Sequence, residues 1–443
     1  MLQAGFSRVD VTPPLGTPLT GHFETRLAEG ILDPLYLNAV ALKSGEDTVL
    51  VITGDFMYTP EKDATRYRKL IAAETGLPLD HIFYQTLHQH TSTTPGECGP
   101  SSRVYQDMLR CKFVDVSKMA IDDLSEAKVS IGEEETAEPV AFVRRYRMKD
   151  GSIKTNPGYL NPDVVGTVGD ADNTVRLVRF KREGKFDIAM VGFQNHPDMF
   201  AGLKYSADWP GFVRRFTEER IPDTHCILIN GCQGDVNHCN FFKPNPAAGL
   251  KKGNPERIRV KYEYCRKVGS IIADTVVSLW DKAEETPVEN VYARVEYKRF
   301  LTKTEGIERI DEMKALYNRF MSGDRPAKEE LPPEGVGLVA RIAGLDTKSA
   351  VQTVPVSMVA FGKIAILGYA GEPFTEYAQA VRAQVPELFL LTACLANGAE
   401  GYLPSREAYA QGSYEVASAM FNAELPEVLQ STAAEMLKEY MKK

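Results

Sequence analysis

Three features of the sequence predict a large mixed-sheet α/β domain flanked by helices. Short apolar runs rich in β-branched residues recur: TVLVITGD, HIFYQTL, FDIAMVGFQ, HCILING, VSMVAFGKIAILGY and LFLLTACLA. Helix-like segments alternate with them, such as PEKDATRYRKLIAAETG, ADWPGFVRRFTEERI, PERIRVKYEYCRKVGSIIADTVVSLWDKA and EVLQSTAAEMLKEYMKK. Several of the apolar runs close on a polar residue of ligand type, followed by a Gly or Pro turn. Continuous apolar runs of this length suit strands buried on both faces. Strands interleaved with helices indicate mixed α/β architecture.

In chain order, TVLVITG ends at Asp55 and HIFYQTL at His88 and His90. DIAMVGFQN ends at His196, CILINGCQG at Asp235, KIAILGYAG at Glu372 and LLTACLANGAEG at Tyr402. In α/β folds, sites gather at the carboxyl ends of strands, where loops carry chemistry over a rigid sheet. Residues from about 300 to 350 break the pattern. A polar helical stretch, EGIERIDEMKALYNRFMSG, is followed by a loop rich in Pro, Glu and Gly. This region reads as a surface excursion or lid and not as a separate domain.

The histidines carry the chemical signal. There are seven, at positions 22, 81, 88, 90, 196, 225 and 238. In an extended chain residues i and i+2 point to one side, so His88 and His90 are expected to present both imidazoles to one place. Two ligands do not make a metal site. His196 and Glu372, at other run ends, supply the further ligands that zinc takes, imidazole nitrogen and carboxylate oxygen. His81 precedes its strand and His225 begins one, which suits structural roles.

Bulk properties narrow the classes. The chain has 443 residues, enough for one large domain or two to three smaller ones. It is 43% hydrophobic and 25% charged, as ordinary globular proteins are. A net charge of −8 argues against a nucleic-acid or anionic-membrane partner and leaves a small-molecule substrate as the expected one. A homo-oligomer stays open. Seven cysteines, an odd number without a CxxC, argue against a disulfide framework or zinc ribbon. MLQAGFSRVDVTPP has no basic n-region or apolar h-region, and a cytoplasmic protein is expected.

Six motifs in order resemble the catalytic domain of the neutral/alkaline, non-lysosomal ceramidase family. AGFSRVDVTPPLGTPLTGH is similar to the family's N-terminal strand and turn, and HQH to its HTH. FQNHP matches the segment of its lone histidine, and NGCQGDVNHCN resembles N-x-GDVSPN. GEPFTEYA matches GE-x-FT, and GYLPSREAYAQGSYE matches the closing tyrosine motifs. The resemblance covers most of the chain and implies a single catalytic domain over 1–443. It implies one zinc held by His88, His196, Glu372 and Tyr402, with His90 beside the metal. It further implies a substrate contact from Arg144 or Arg145 and a role for Tyr414 in the site. His22, beside a Gly-rich turn in TPLTGHFET, is a further candidate substrate contact read from the sequence itself.

The departures redirect the expected substrate. Asn237 stands where the family has a serine, so no hydroxyl nucleophile is offered there. The family's C-terminal β-rich domain is not matched by any segment. The expectation is a zinc-dependent hydrolase of a small polar amide, ester or lactone, acting through metal-bound hydroxide, and not on ceramide. His90 suits general acid or base work, or orientation of the ligands. Asp235 and Asn237 are further candidates for the catalytic set; Asp235 is weighed first as a supporting residue. Asp208 reads as a helix N-cap. Two alternatives stay open: a carbohydrate-active enzyme on the same metal scaffold, and a binding protein without activity.

Overall fold

The computed structural model describes residues 1–96, 100–251, 254–345 and 350–443. Cys98 and residues 346–349 of the excursion lie outside them. Apolar runs form two sheets. The larger runs in the order Thr224–Asn230, Asp187–Phe193, Thr174–Arg182, Ser125–Glu135, Gln3–Asp10, Tyr36–Ser44, Asp47–Gly54, Ile82–Thr86. The pair at each end is parallel and the pairs between are antiparallel. The smaller sheet runs Val291–Leu301, Val351–Phe361, Ile364–Tyr369, Phe389–Ala393, and its last pair is parallel.

Side-chain alternation along the strands explains the layers. Val40, Leu42, Val49 and Val51 of the larger sheet meet Val359, Phe361, Ile364 and Ile366 of the smaller one in a shared core. Their neighbours Leu37, Ala39, Ala41, Leu50 and Ile52 point the other way, against the helices Glu61–Thr75 and Arg103–Asp122. The helices Asp208–Arg220 and Pro255–Trp280 cover the other half of that face. Thr375–Arg382 and Leu425–Tyr440 cover the smaller sheet. The result is helix, sheet, sheet, helix, with strands such as Tyr36–Ser44 and Ile364–Tyr369 buried on both faces.

Local signals start and stop the helices. The Ser102 hydroxyl accepts the Tyr105 N–H, and the Asn254 side chain accepts the Glu256 N–H ahead of Pro255. Gly76, at φ 75°, ends the first helix in the left-handed conformation. Asp208 is the first residue of its helix, one place inside the N-cap read from sequence. Its φ is 51°, and its carboxylate accepts the Trp209 N–H at 2.6 Å.

The excursion contains the helices Ile310–Met321 and Val336–Ala343, which share a small core of Met313, Leu316, Leu338, Val339 and Ile342. It touches two segments that carry expected site residues. Thr25 N–H bonds to Met321 O, and Phe23 packs on Phe320 at 6.1 Å. Arg341 donates to Ala417 O at 3.0 Å. Among the described residues no helix is long and apolar enough to cross a membrane.

Candidate metal centre

Each of the three parallel pairs ends both of its strands on one side. Asp47–Gly54 runs beside Ile82–Thr86, Asp187–Phe193 beside Thr224–Asn230, and Ile364–Tyr369 beside Phe389–Ala393. The loops that follow these strands hold Asp55, His88 with His90, His196, Asp235, Glu372 and Tyr402. Buried amides stitch the three pairs together. Gln85 donates to Asn230 O at 2.6 Å and Cys394 O at 2.8 Å, and Asn230 donates to Leu87 O at 3.2 Å.

His88, His90 and His196 converge. Their nearest ligand nitrogens all lie within 4.8 Å of one another. The convergence is not that of an extended strand. The strand stops at Thr86, and His88 takes a φ of 78°. The turn, and not strand alternation, brings the two imidazoles together. Gly21 makes room for them: at φ 94°, a Cβ there would stand 2.7 Å from His90 Nδ1.

The donor chemistry fits a cation. His88 Nδ1 lies 2.8 Å from Met57 O, to which it donates, and Nε2 is the nitrogen turned to the site. That Nε2 faces Glu372 Oε2 at 3.3 Å, and His196 Nε2 stands 4.0 Å from the same oxygen. Glu372 Oε2 is buried without a hydrogen-bond donor. A carboxylate oxygen without a hydrogen-bond donor, facing two imidazole nitrogens, is an arrangement that a cation would fit. Burial, and then neighbouring basic groups, hold His90 and His196 well below the ordinary imidazole value. For His90 the foremost neighbour is His88; for His196 it is Arg144. Both rings are therefore neutral at pH 7, with lone pairs to offer. His90 Nε2 is 3.2 Å from His196 Nε2.

Tyr402 enters on the backbone next to Glu372, its partner in a short parallel bridge. The Arg144 guanidinium lies over its ring at 5.1 Å, and Tyr414 packs against it at 5.7 Å. Burial is the largest influence on both phenols; it pushes Tyr402 well up and Tyr414 to about 12. Both remain protonated at neutral pH. Arg144 and Arg145 share one buried carboxylate, Glu415, at 2.8 and 3.0 Å. Arg145 also donates to Gly412 O and to the Gln411 side chain. His22 stands edge-on to His90 at 5.6 Å.

Two residues expected in the catalytic set hold local structure. The Asp235 carboxylate accepts the Thr375 N–H at 2.8 Å and its hydroxyl at 3.0 Å, capping the helix after Glu372. Asn237 donates to Asn156 and accepts the Cys239 N–H, both at 2.8 Å. Asp55 pairs with buried Arg214 at 2.6 Å. Sequence reading passed over Asp198 and Glu415. Asp198 follows His196 by two residues and pairs with His238 at 3.1 Å. The carboxylate in NHPD was the available signal. Nothing local marks Glu415 as the partner of arginines some 270 residues earlier.

No protein-family model matches the sequence, and no curated protein matches it. Solved structures do. The neutral ceramidase from Pseudomonas aeruginosa superposes with a TM-score of 0.73 at 15% identity, over 99% of this chain and 75% of that one. A ceramidase complexed with C2 gives 0.71, at the same identity and coverage. At this identity the likeness is one of fold: over nearly its whole length, the chain has the fold of the neutral ceramidases.

Proposed function

We propose that the protein is a metal-dependent hydrolase, with zinc as its metal and a small polar amide, ester or lactone as its substrate. His88, His196, Glu372 and Tyr402 would hold the ion, with His90 beside it. The observation that carries this reading is the convergence of His88, His90 and His196, with His88 Nε2 3.3 Å from a Glu372 Oε2 that is buried without a hydrogen-bond donor. A bound zinc supplies Lewis-acid polarisation of a carbonyl and lowers the pKa of a water.

The chain's own groups divide the remaining work. Met57 O fixes the His88 tautomer through Nδ1. His90, neutral at pH 7, is positioned to take a proton from the attacking water. Position 237 has no hydroxyl, so water is the nucleophile. Tyr414, and Tyr402 when it is swung off the ion, keep their protons and can donate to a developing oxyanion, with the Arg144 charge beside Tyr402.

The test is elemental analysis of protein purified without a metal-binding tag, followed by a screen of amides, esters and lactones. About one zinc per chain, lost in His88→Ala together with activity, is the expected result. A wild-type protein that takes up no metal when zinc is offered would end this reading.

A further inference from the structure

A cavity of about 340 Å³ lies next to the centre, and none of the proposed metal ligands lines it. The turn that follows His196 borders both. Pro197 O accepts the His90 N–H at 3.1 Å, and Met199, two residues on, lines the cavity. Sequence spacing builds another wall. Lys261, Tyr264, Val268 and Ile271 recur at three and four residues along the helix Pro255–Trp280, so they share one face, and all four line the cavity. Phe142 and Tyr159 add two more aromatic rings. Protein interiors hold few voids larger than a water molecule. A void of about 150 Å³ accepts benzene, so this one has room for a fused pair of rings.

Charge is spread unevenly along the cavity. At its buried end His238, 8% exposed, faces the Asp198 carboxylate at 3.1 Å, so that end offers no uncompensated positive charge. The outer end holds three lysines, Lys243, Lys261 and Lys267, and one carboxylate, Glu138. Glu138 pairs with Lys267 at 2.7 Å. Among the described residues, neither Lys243 nor Lys261 pairs with a carboxylate. Two lysines without a counter-charge thus mark the mouth of an aromatic cavity, in a chain whose net charge is −8.

We propose that this cavity binds a small organic anion, an aromatic ring system carrying a carboxylate, with its rings among Phe142, Tyr159 and Tyr264 and its carboxylate at Lys243 and Lys261. Apolar and aromatic walls with a few placed polar groups are what small-molecule sites share. The two ends decide the orientation. A carboxylate at the buried end would face Asp198 and be repelled; at the mouth it meets two ammonium groups and water. A neutral aromatic would leave the lysines unused, and a bare anion would forgo the ring contacts, so each should bind more weakly. The site is independent of the proposed hydrolysis, because it is read out by binding whether or not the centre holds zinc.

The experiment is isothermal titration calorimetry of the full-length protein with 2-naphthoate. The neutral isostere 2-naphthamide and the ringless anion acetate are the comparators. Naphthoate is expected to bind with a Kd below about 1 mM. The amide should bind about fivefold more weakly, the scale of two exposed charge contacts, and acetate not measurably. The double variant Lys243→Gln, Lys261→Gln should erase the difference between naphthoate and naphthamide. Ile271→Trp, which fills the cavity from the helix face, should abolish binding of both; where it folds poorly, the lysine variant decides alone. Equal wild-type affinity for naphthoate and naphthamide, or no binding of naphthoate at millimolar concentration, overturns the proposal. So does a naphthoate affinity that the lysine variant leaves unchanged, which is the result expected of an anion held at the metal centre instead.

Discussion

Glu372 and Tyr402 are backbone partners in a two-residue parallel bridge, and the Glu372 N–H bonds to Gly401 O at 2.9 Å. Carboxylate and phenol therefore reach the centre on one rigid unit, but they are expected to fail differently. Glu372→Gln removes the one carboxylate of the proposed ligand set, and zinc affinity should fall by more than about 100-fold, beyond the usual cost of an outer partner. Tyr402→Phe leaves His88, His196 and Glu372 in place. Zinc should stay bound while turnover falls by about 10²–10³-fold, the range for losing one oxyanion donor. Equilibrium dialysis and steady-state kinetics on the two variants check this.

Two buried guanidinium groups lean on one carboxylate, Glu415. Glu415→Gln strands both charges, and unfolding in urea should show a loss of about 3–5 kcal/mol. Arg144→Met leaves the Arg145–Glu415 pair intact. It should cost activity out of proportion to stability, measured as kcat against the urea midpoint.

Asp235 gives the fold a pH dependence. Burial, followed by the neighbouring Glu376, pushes its carboxyl up to about 6. In the unfolded chain the value is about 3.9. The folded state therefore holds its proton longer, and this stability is full below about pH 4 and lost as pH rises through about 6. Asp235→Asn keeps an acceptor for Thr375 and cannot ionise. Relative to wild type it should gain on the order of 2 kcal/mol between pH 4 and pH 7. Urea titrations at both pH values measure the difference; a flat difference would remove Asp235 as the source.

Gly21 controls the approach of the loop that carries His22. A methyl group there would also meet Met57 Sδ at 2.8 Å, on the residue whose carbonyl orients His88. Gly21→Ala should retain zinc yet lose about 10²-fold in kcat, because a displacement near 1 Å is enough for that. Metal content and turnover of the variant decide it.

Much of the centre was legible because each strand end announces itself locally. An apolar run that stops at His196 or Glu372 carries its own signal, and six such ends proved to be the carboxyl ends of the three parallel pairs. The pairing itself was not legible, because hydrogen-bond partners such as Asn230 and Gln85 are far apart in sequence. Ser125–Glu135 was also hard to see. It sits within the larger sheet, yet its charged residues alternate with buried Val129 and Ile131 and interrupt any apolar run. The reasoning that put His88 and His90 together gave the right neighbours for a different cause, since His88 leaves the strand by a left-handed turn. Asp208 sits one residue inside the helix because a positive φ at that position is invisible to a capping rule.

The four expected ligands do not belong to one sheet. His88 and His196 follow strands of the larger sheet, and Glu372 and Tyr402 follow strands of the smaller. An ion bound by all four would act as a rivet through the two plates. Shearing one sheet over the other and releasing the ion would then be a single event. Saturating such a site a hundredfold above its dissociation constant adds about 2.7 kcal/mol to the folded state. Resistance to heat and to proteases would thus become a readout of metal supply, and a starved cell would hold this chain in a looser and shorter-lived form.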